Sequence, residues 1–302
     1  MINPTALERP RGLQEEWQRV ALRTIILSMS KRPGWYLRLL AVTGSGLKKA
    51  FRATRLPYIG GAVERLLLPL FTGRNFNVTY VPIQENIDTG ESVVLPRQAV
   101  EELIRRSSHR VIIHRCTCRD YNKCEDHPVT LGCTLLGEGT KEIDPRVARH
   151  VSVEESLEHL DATIKEGLIP LVGRVRIDNF IWGVKDRGKL LTICHCCPCC
   201  CVFFNSGKTM PAATVSSLVP LHGVSVLVDG EMCTSCGDCI DACFVGALSM
   251  VDGVVVRDEG LCKGCGVCVS ACPEKAMRLD IADMDAAMAE LLGRVTGLVD
   301  ID

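Results

Sequence analysis

Cysteine is the residue with most chemistry to offer in this chain. There are 18, and none precedes Cys116. Four fall between Cys116 and Cys133, six between Cys194 and Cys201, and eight between Cys233 and Cys272. Structural cysteines scatter through strands and helices as small apolar residues. These are bunched, and bunched thiolates are soft ligands for zinc, Cu(I) or iron–sulfur clusters. A disulfide framework fits less well. The opening MINPTALERPRGLQEEW has neither the apolar core nor the small-residue cleavage site of a secretory leader, so a cytoplasmic chain is expected, and disulfides belong to oxidising compartments. At 302 residues the chain can also bury a core without such staples.

The last eight cysteines are the most specific signal. From Cys233 the chain runs Cys-Thr-Ser-Cys-Gly-Asp-Cys-Ile-Asp-Ala-Cys-Phe, and from Cys262 it runs Cys-Lys-Gly-Cys-Gly-Val-Cys-Val-Ser-Ala-Cys-Pro. Both are C-x2-C-x2-C-x3-C, repeated at an offset of 29 residues. Over about residues 223–281 the segment resembles the bacterial two-[4Fe-4S] ferredoxin family. The resemblance implies that Cys233, Cys236, Cys239 and Cys272 hold one [4Fe-4S] cluster, and that Cys262, Cys265, Cys268 and Cys243 hold the second. Gly237, Gly264 and Gly266 suit the tight backbone that brings amides to cluster sulfurs. Phe244 stands where the family has Pro, whereas Pro273 is present.

The other ten cysteines are Cys116, Cys118, Cys124 and Cys133, then Cys194, Cys196, Cys197, Cys199, Cys200 and Cys201. They partition either as the first four plus four of the last six, or as mixed sets drawn from both loops. The run from Cys194 to Cys201 looks too crowded for one tetrahedral zinc, which favours one or two further iron–sulfur clusters, with redox-active thiols as a third option. The region resembles a cysteine-rich iron–sulfur domain found fused to ferredoxins in anaerobic microbes, on the strength of Cys116-Thr117-Cys118-Arg119 and the Cys194–Cys201 run. Its paired cysteines also resemble those of the heterodisulfide reductase catalytic subunit, although Pro198 follows Cys196-Cys197 where that family has Gly. Arg115, Arg119 and Lys123 either offset thiolate charge or face water. Of His114, His127, His150, His159 and His195, only His195 lies within a cysteine run.

Positioning these thiols requires short strands that end at the clusters. Asn77–Ile83 and Val111–Ile113 are β-branched and strand-like, and Leu190–Ile193 opens directly onto Cys194. Residues 97–106 have helical spacing, and Ser152-Val153-Glu154-Glu155 is a capping box with Gly167 as a C-terminal stop. In the last third, Ser225–Val228, Ala247–Met250, Val254–Val256 and Ala276–Leu279 are short apolar strands, followed by a helix over 282–299. Residues 14–30 suggest an amphipathic helix, but no stretch reaches the ~18–20 uncharged apolar residues that span a bilayer.

The expected fold class is therefore α+β: a basic helical segment over 1–74, an α/β cysteine-rich domain over 75–210, a two-cluster ferredoxin domain over 223–281 and a terminal helix over 282–302. Beneath a net charge of −1, residues 1–74 carry 13 Lys/Arg against 4 Asp/Glu, and residues 223–302 carry 5 against 14. The basic head suits either a helical wrapping with a solvated face or docking to an acidic partner or the inner membrane face. It has no nucleic-acid motif. No Gly-x-Gly-x-x-Gly or Walker loop is present, and Gly44-Ser45-Gly46 lacks the third glycine. The function expected is metal-binding electron transport: a cytoplasmic, anaerobic iron–sulfur protein or subunit serving a redox partner enzyme or membrane complex. The alternatives are a reductive oxidoreductase with an unusual cluster fed by its own ferredoxin domain, and a zinc-organised module fused to a ferredoxin.

Overall fold

The computed structural model describes residues 46–83 and 94–302. The helix expected over 14–30 lies outside the described residues. Residues 46–53 are helical, and a second helix spans Gly60–Leu67. Pro69 falls in the 3-10 turn Leu68–Leu70, where a missing N–H is tolerated because the first N–H groups of a helix are unpaired. No helix among the described residues is long and apolar enough to cross a membrane.

A six-stranded sheet organises the middle of the chain. Its strands are β1 (Phe76–Tyr80), β2 (Arg110–Ile113), β3 (Thr134–Leu136), β4 (Ala148–His150), β5 (Ile169–Val175) and β6 (Leu191–Cys196), in the order β1-β5-β6-β3-β2-β4. These ladders are antiparallel throughout. The α/β arrangement expected for this region is thus corrected to α+β, since helices cover the sheet without the crossovers that parallel neighbours require.

The period-two alternation of each strand sorts side chains onto two faces. On one face Phe76, Val78, Tyr80, Leu171 and Cys196 pack with Phe203 and Phe204. On the other, Leu136, Val172, Leu191 and Ile193 meet the helices Val94–Arg106, Val153–Lys165 and Met284–Leu298. The 153–165 helix has its expected cap: Ser152 Oγ accepts from the Glu155 N–H, and the Glu155 carboxylate accepts from the Ser152 N–H. The terminal helix is anchored by Arg294, which donates to Thr79 Oγ1 at 2.5 Å and to Asn77 Oδ1. Both residues belong to β1, on the face opposite Phe76, Val78 and Tyr80.

The C-terminal third builds two small two-stranded sheets around two short helices. Strand β7 (Val224–Val228) pairs with β10 (Met277–Ile281), and β8 (Leu248–Val251) with β9 (Val254–Arg257), both antiparallel. The helices Asp238–Ala242 and Val267–Ala271 pack between them. This body meets the middle sheet through aromatic contacts. Phe244 lies 4.9 Å from Phe204 and 5.5 Å from Tyr80 between ring centroids, both edge-on. Tyr80 stacks on Phe204 at 4.7 Å. Gly207 is required at this junction, because any side chain there would run into the backbone and ring of Phe244.

Candidate metal centres

In the C-terminal third the eight cysteines line two cavities. One is bordered by Cys233, Cys236, Cys239 and Cys272. The other is bordered by Cys243, Cys262, Cys265 and Cys268. Each cavity therefore takes three cysteines from one motif and the last from the other. The short helices begin immediately after Gly237 (φ +89°) and Gly266 (φ +79°), whose left-handed backbone lets each motif turn inward. The Ala247 N–H donates to Cys243 Sγ at 3.2 Å. Burial pushes the Cys265 thiol up to about 12, so a proton stays on it until a metal displaces it.

The middle region separates its ten cysteines into a group of four and a group of six. Cys124, Cys197, Cys199 and Cys200 have Sγ atoms that all lie within 4.8 Å of one another. Cys124 follows the short helix Thr117–Asn122, which stops where Lys123 takes a left-handed conformation at φ +51°. The other three sit in the turn after β6. The partition is thus a mixed one, with a single cysteine of the first loop joining three of the second.

The remaining six run in a contiguous series along the sheet face. Cys133 Sγ lies 3.5 Å from Cys194 Sγ, and Cys196 Sγ lies 3.4 Å from Cys201 Sγ. Cys194 adjoins Cys196, Cys201 adjoins Cys118, and Cys118 adjoins Cys116. The expected strand Leu190–Ile193 in fact continues to Cys196, with Cys194 opposite Leu171 and Cys196 opposite Ile169. That extension puts Cys194 and Cys196 on one face together. The Cys118 thiol and burial push Cys116 well up, and the Cys194 thiol and burial do the same to Cys133. The Cys118 and Cys196 thiols hold Cys201 well below the ordinary thiol range.

The same alternation sends His195 the other way. Its Nε2 pairs with Thr134 Oγ1 at 3.1 Å, and its ring lies 5.2 Å from that of His159 on the 153–165 helix. His159 Nε2 donates to the Gly132 carbonyl at 2.9 Å. Elsewhere His127 meets Glu166 at 3.1 Å, His114 meets the Pro145 carbonyl at 3.2 Å, and His150 packs on His109. Arg115 is exposed and pairs with Asp120 at 2.5 Å, and Lys123 is exposed.

Arg119 behaves differently. It is 1% exposed, and among the described residues no carboxylate pairs with it. Nη1 donates to the His195 carbonyl at 2.9 Å and Nη2 to the Leu131 carbonyl, while Nε has no partner among the described residues. Burial works against its charge, yet the Cys116 and Cys197 thiols outweigh that and raise its pKa. One of these thiols belongs to the six and the other to the four. A buried guanidinium is costly unless anions surround it. Metal-bound thiolates on both sides meet that need, so the all-sulfur donor sets and this counter-charge fit bound metal centres.

Four further residues carry no sequence signal that marks them. Asn122 Nδ2 donates to the carbonyls of Cys118 (2.7 Å) and Cys200 (3.0 Å), tying the two loops together. Asn205 Nδ2 gathers the Pro198, Cys199 and Cys201 carbonyls at 3.0–3.1 Å. Asp178, pushed up to about 6 by burial, accepts from Thr192 Oγ1 at 2.7 Å and acts on Cys133 and Cys194. Tyr80 has a buried hydroxyl with no hydrogen-bond partner among the described residues. The thiols that act on it are Cys201, Cys196 and Cys194 of the middle region and Cys265 of the C-terminal third.

Residues 232–276 match the 4Fe-4S dicluster domain family. The C-terminal part of the chain is accordingly a ferredoxin-like domain. No curated protein matches the chain.

Proposed function

We propose that this chain is an iron–sulfur electron carrier, alone or as a subunit, that moves low-potential electrons between a donor and a redox partner. In this reading Cys233, Cys236, Cys239 and Cys272 hold one [4Fe-4S] cluster and Cys243, Cys262, Cys265 and Cys268 the second. Cys116, Cys118, Cys133, Cys194, Cys196 and Cys201 hold a further iron–sulfur centre. Such groups store single electrons when bound; the chain's part is to space them, exclude water between them and balance their charge. The observation that carries the reading is the wall shared by the ferredoxin-like domain and the six-thiol face. Tyr80 has Cys265 among its neighbours on one side and Cys194, Cys196 and Cys201 on the other, with Phe204 and Phe244 sealing the gap. The acidic balance of residues 223–302 suits a partner with a basic docking face.

Iron and acid-labile sulfide analysis of anaerobically purified protein, with EPR after reduction, tests this. Two ferredoxin clusters account for about eight irons per chain. The expected result is an iron content clearly above that; a content of about eight overturns the third centre. A second reading, a reductive oxidoreductase with its chemistry at the middle centre, is favoured by the thiol count, since six exceeds the four that an ordinary cubane takes. An EPR signal unlike that of a cubane in the same experiment favours it over simple transfer.

A further inference from the structure

The four-thiol group differs from every other cysteine set in its spacing. Its Sγ atoms all lie within 4.8 Å of one another, and Cys124 Sγ is 3.6 Å from Cys199 Sγ. Among the described residues, no other three or more ligand atoms of Cys, His, Asp or Glu are gathered so tightly. That comparison includes the eight cysteines around the two ferredoxin-like cavities. Spacing of this kind is set by what the sulfurs are shaped to surround. One tetrahedral ion with Zn–S bonds of about 2.3 Å places its sulfurs roughly 3.8 Å apart. A cubane interposes irons and sulfides between its thiolates and holds them farther apart.

We propose that Cys124, Cys197, Cys199 and Cys200 bind a single tetrahedral zinc ion that pins the loop after the 117–122 helix to the turn after β6. The crowding of the Cys194–Cys201 run is no obstacle, because β6 carries Cys194 and Cys196 onto the sheet face and Cys201 turns to join Cys196. Three thiols of the run are left, and Cys124 completes four. Such a site is coordinatively closed, which is the property of a structural ion rather than a catalytic one. Four thiolates on a dication leave two negative charges, and Arg119, buried beside Cys197, answers part of that excess. Asn122 and Asn205 hold the backbone of both loops in place by their bonds to the Cys200 and Cys199 carbonyls. The inference stands apart from the electron-transfer reading, because neither the ferredoxin-like domain nor the six-thiol centre contributes a ligand.

The test is elemental analysis of the full-length, anaerobically purified protein and of Cys199→Ala and Cys124→Ala. Cys199 is exposed, so its removal opens no cavity in the core. The expected result is about one zinc per wild-type chain, lost in both variants while iron and sulfide stay constant. Zinc-edge absorption spectroscopy on the wild type, which needs no variant to fold, is expected to show four sulfurs at about 2.3 Å. Wild-type protein free of zinc overturns the proposal. So does a loss of iron and sulfide in Cys199→Ala, or zinc bound by oxygen and nitrogen.

Discussion

A buried hydroxyl that has no acceptor costs free energy, on the order of 1–3 kcal/mol, unless something absent from the polypeptide accepts from it. Tyr80 has no acceptor among the described residues, with its ring stacked on Phe204 and its hydroxyl among thiols of two candidate centres. Donated to a metal-bound sulfur, its O–H stabilises the more negative, reduced form and raises the midpoint potential. Tyr80→Phe keeps the stacked ring and removes only the donor. The expected outcome is a midpoint potential lower by some tens of millivolts, the equivalent of about one hydrogen bond, read by EPR-monitored anaerobic titration with metal content unchanged. An unshifted potential means that the hydroxyl does not address those sulfurs. Arg119 poses the same kind of question with a full charge: it donates to two carbonyls and bonds the Cys197 thiol, and no carboxylate among the described residues pairs with it, so its neutralisation depends on the thiolates around it.

At the scale of elements, β6 decides which side chains do chemistry. Alternation along it sends Cys194 and Cys196 to the thiol face and His195 to the helix face, where it meets His159. Burial, with Arg149 and Arg119 adding to it, lowers the His159 pKa below the ordinary histidine value. The folded value lies below the unfolded one, so the unfolded chain takes up the proton first as pH falls. The stability contributed by neutral His159 is complete above about pH 6.5 and declines below it. In His159→Gln the amide can still donate to the Gly132 carbonyl but cannot titrate. Urea midpoints measured near pH 7.5 and 5.5 are expected to differ less in this variant than in the wild type, with His195, His109 and the buried Asp178 contributing to what remains. An unchanged difference assigns the acid sensitivity elsewhere. Much of this scaffold was legible in the sequence: the capping box at Ser152 and the short strands of the C-terminal third follow from local spacing. The division of the ten middle cysteines was not legible, because it depends on which strands become neighbours. Cys124 and Cys199 are 75 residues apart, and only the order β5-β6-β3-β2 brings their loops together. Nor did the sequence distinguish buried Arg119 from exposed Arg115, since both follow β2 within one turn of chain.

For the whole molecule, the arrangement grips the middle sheet from both sides with its C-terminal third. The ferredoxin-like body seats Phe244 and Val267 on the thiol face. The chain then crosses over and lays Ala287, Leu291 and Val295 of the terminal helix on the opposite face. Phe244 is the residue at which this sequence departs from its ferredoxin resemblance, and the structure gives the departure a reason. A proline has no aromatic ring to place edge-on against Tyr80 and Phe204, so the substitution fits a domain that must dock as well as fold. Phe244→Ala leaves all eight ferredoxin-like cysteines in the chain while removing the packed ring, at a cost of about 3–5 kcal/mol for a buried phenylalanine. Iron and sulfide are expected to remain at wild-type levels, and the thermal midpoint to fall. Because the wall between Cys265 and Cys196 is then loosened, magnetic coupling between the ferredoxin-like centres and the middle centre is expected to weaken in the EPR of the fully reduced protein. Coupling that persists unchanged in Phe244→Ala would place the electron path somewhere other than through the Tyr80, Phe204 and Phe244 cluster.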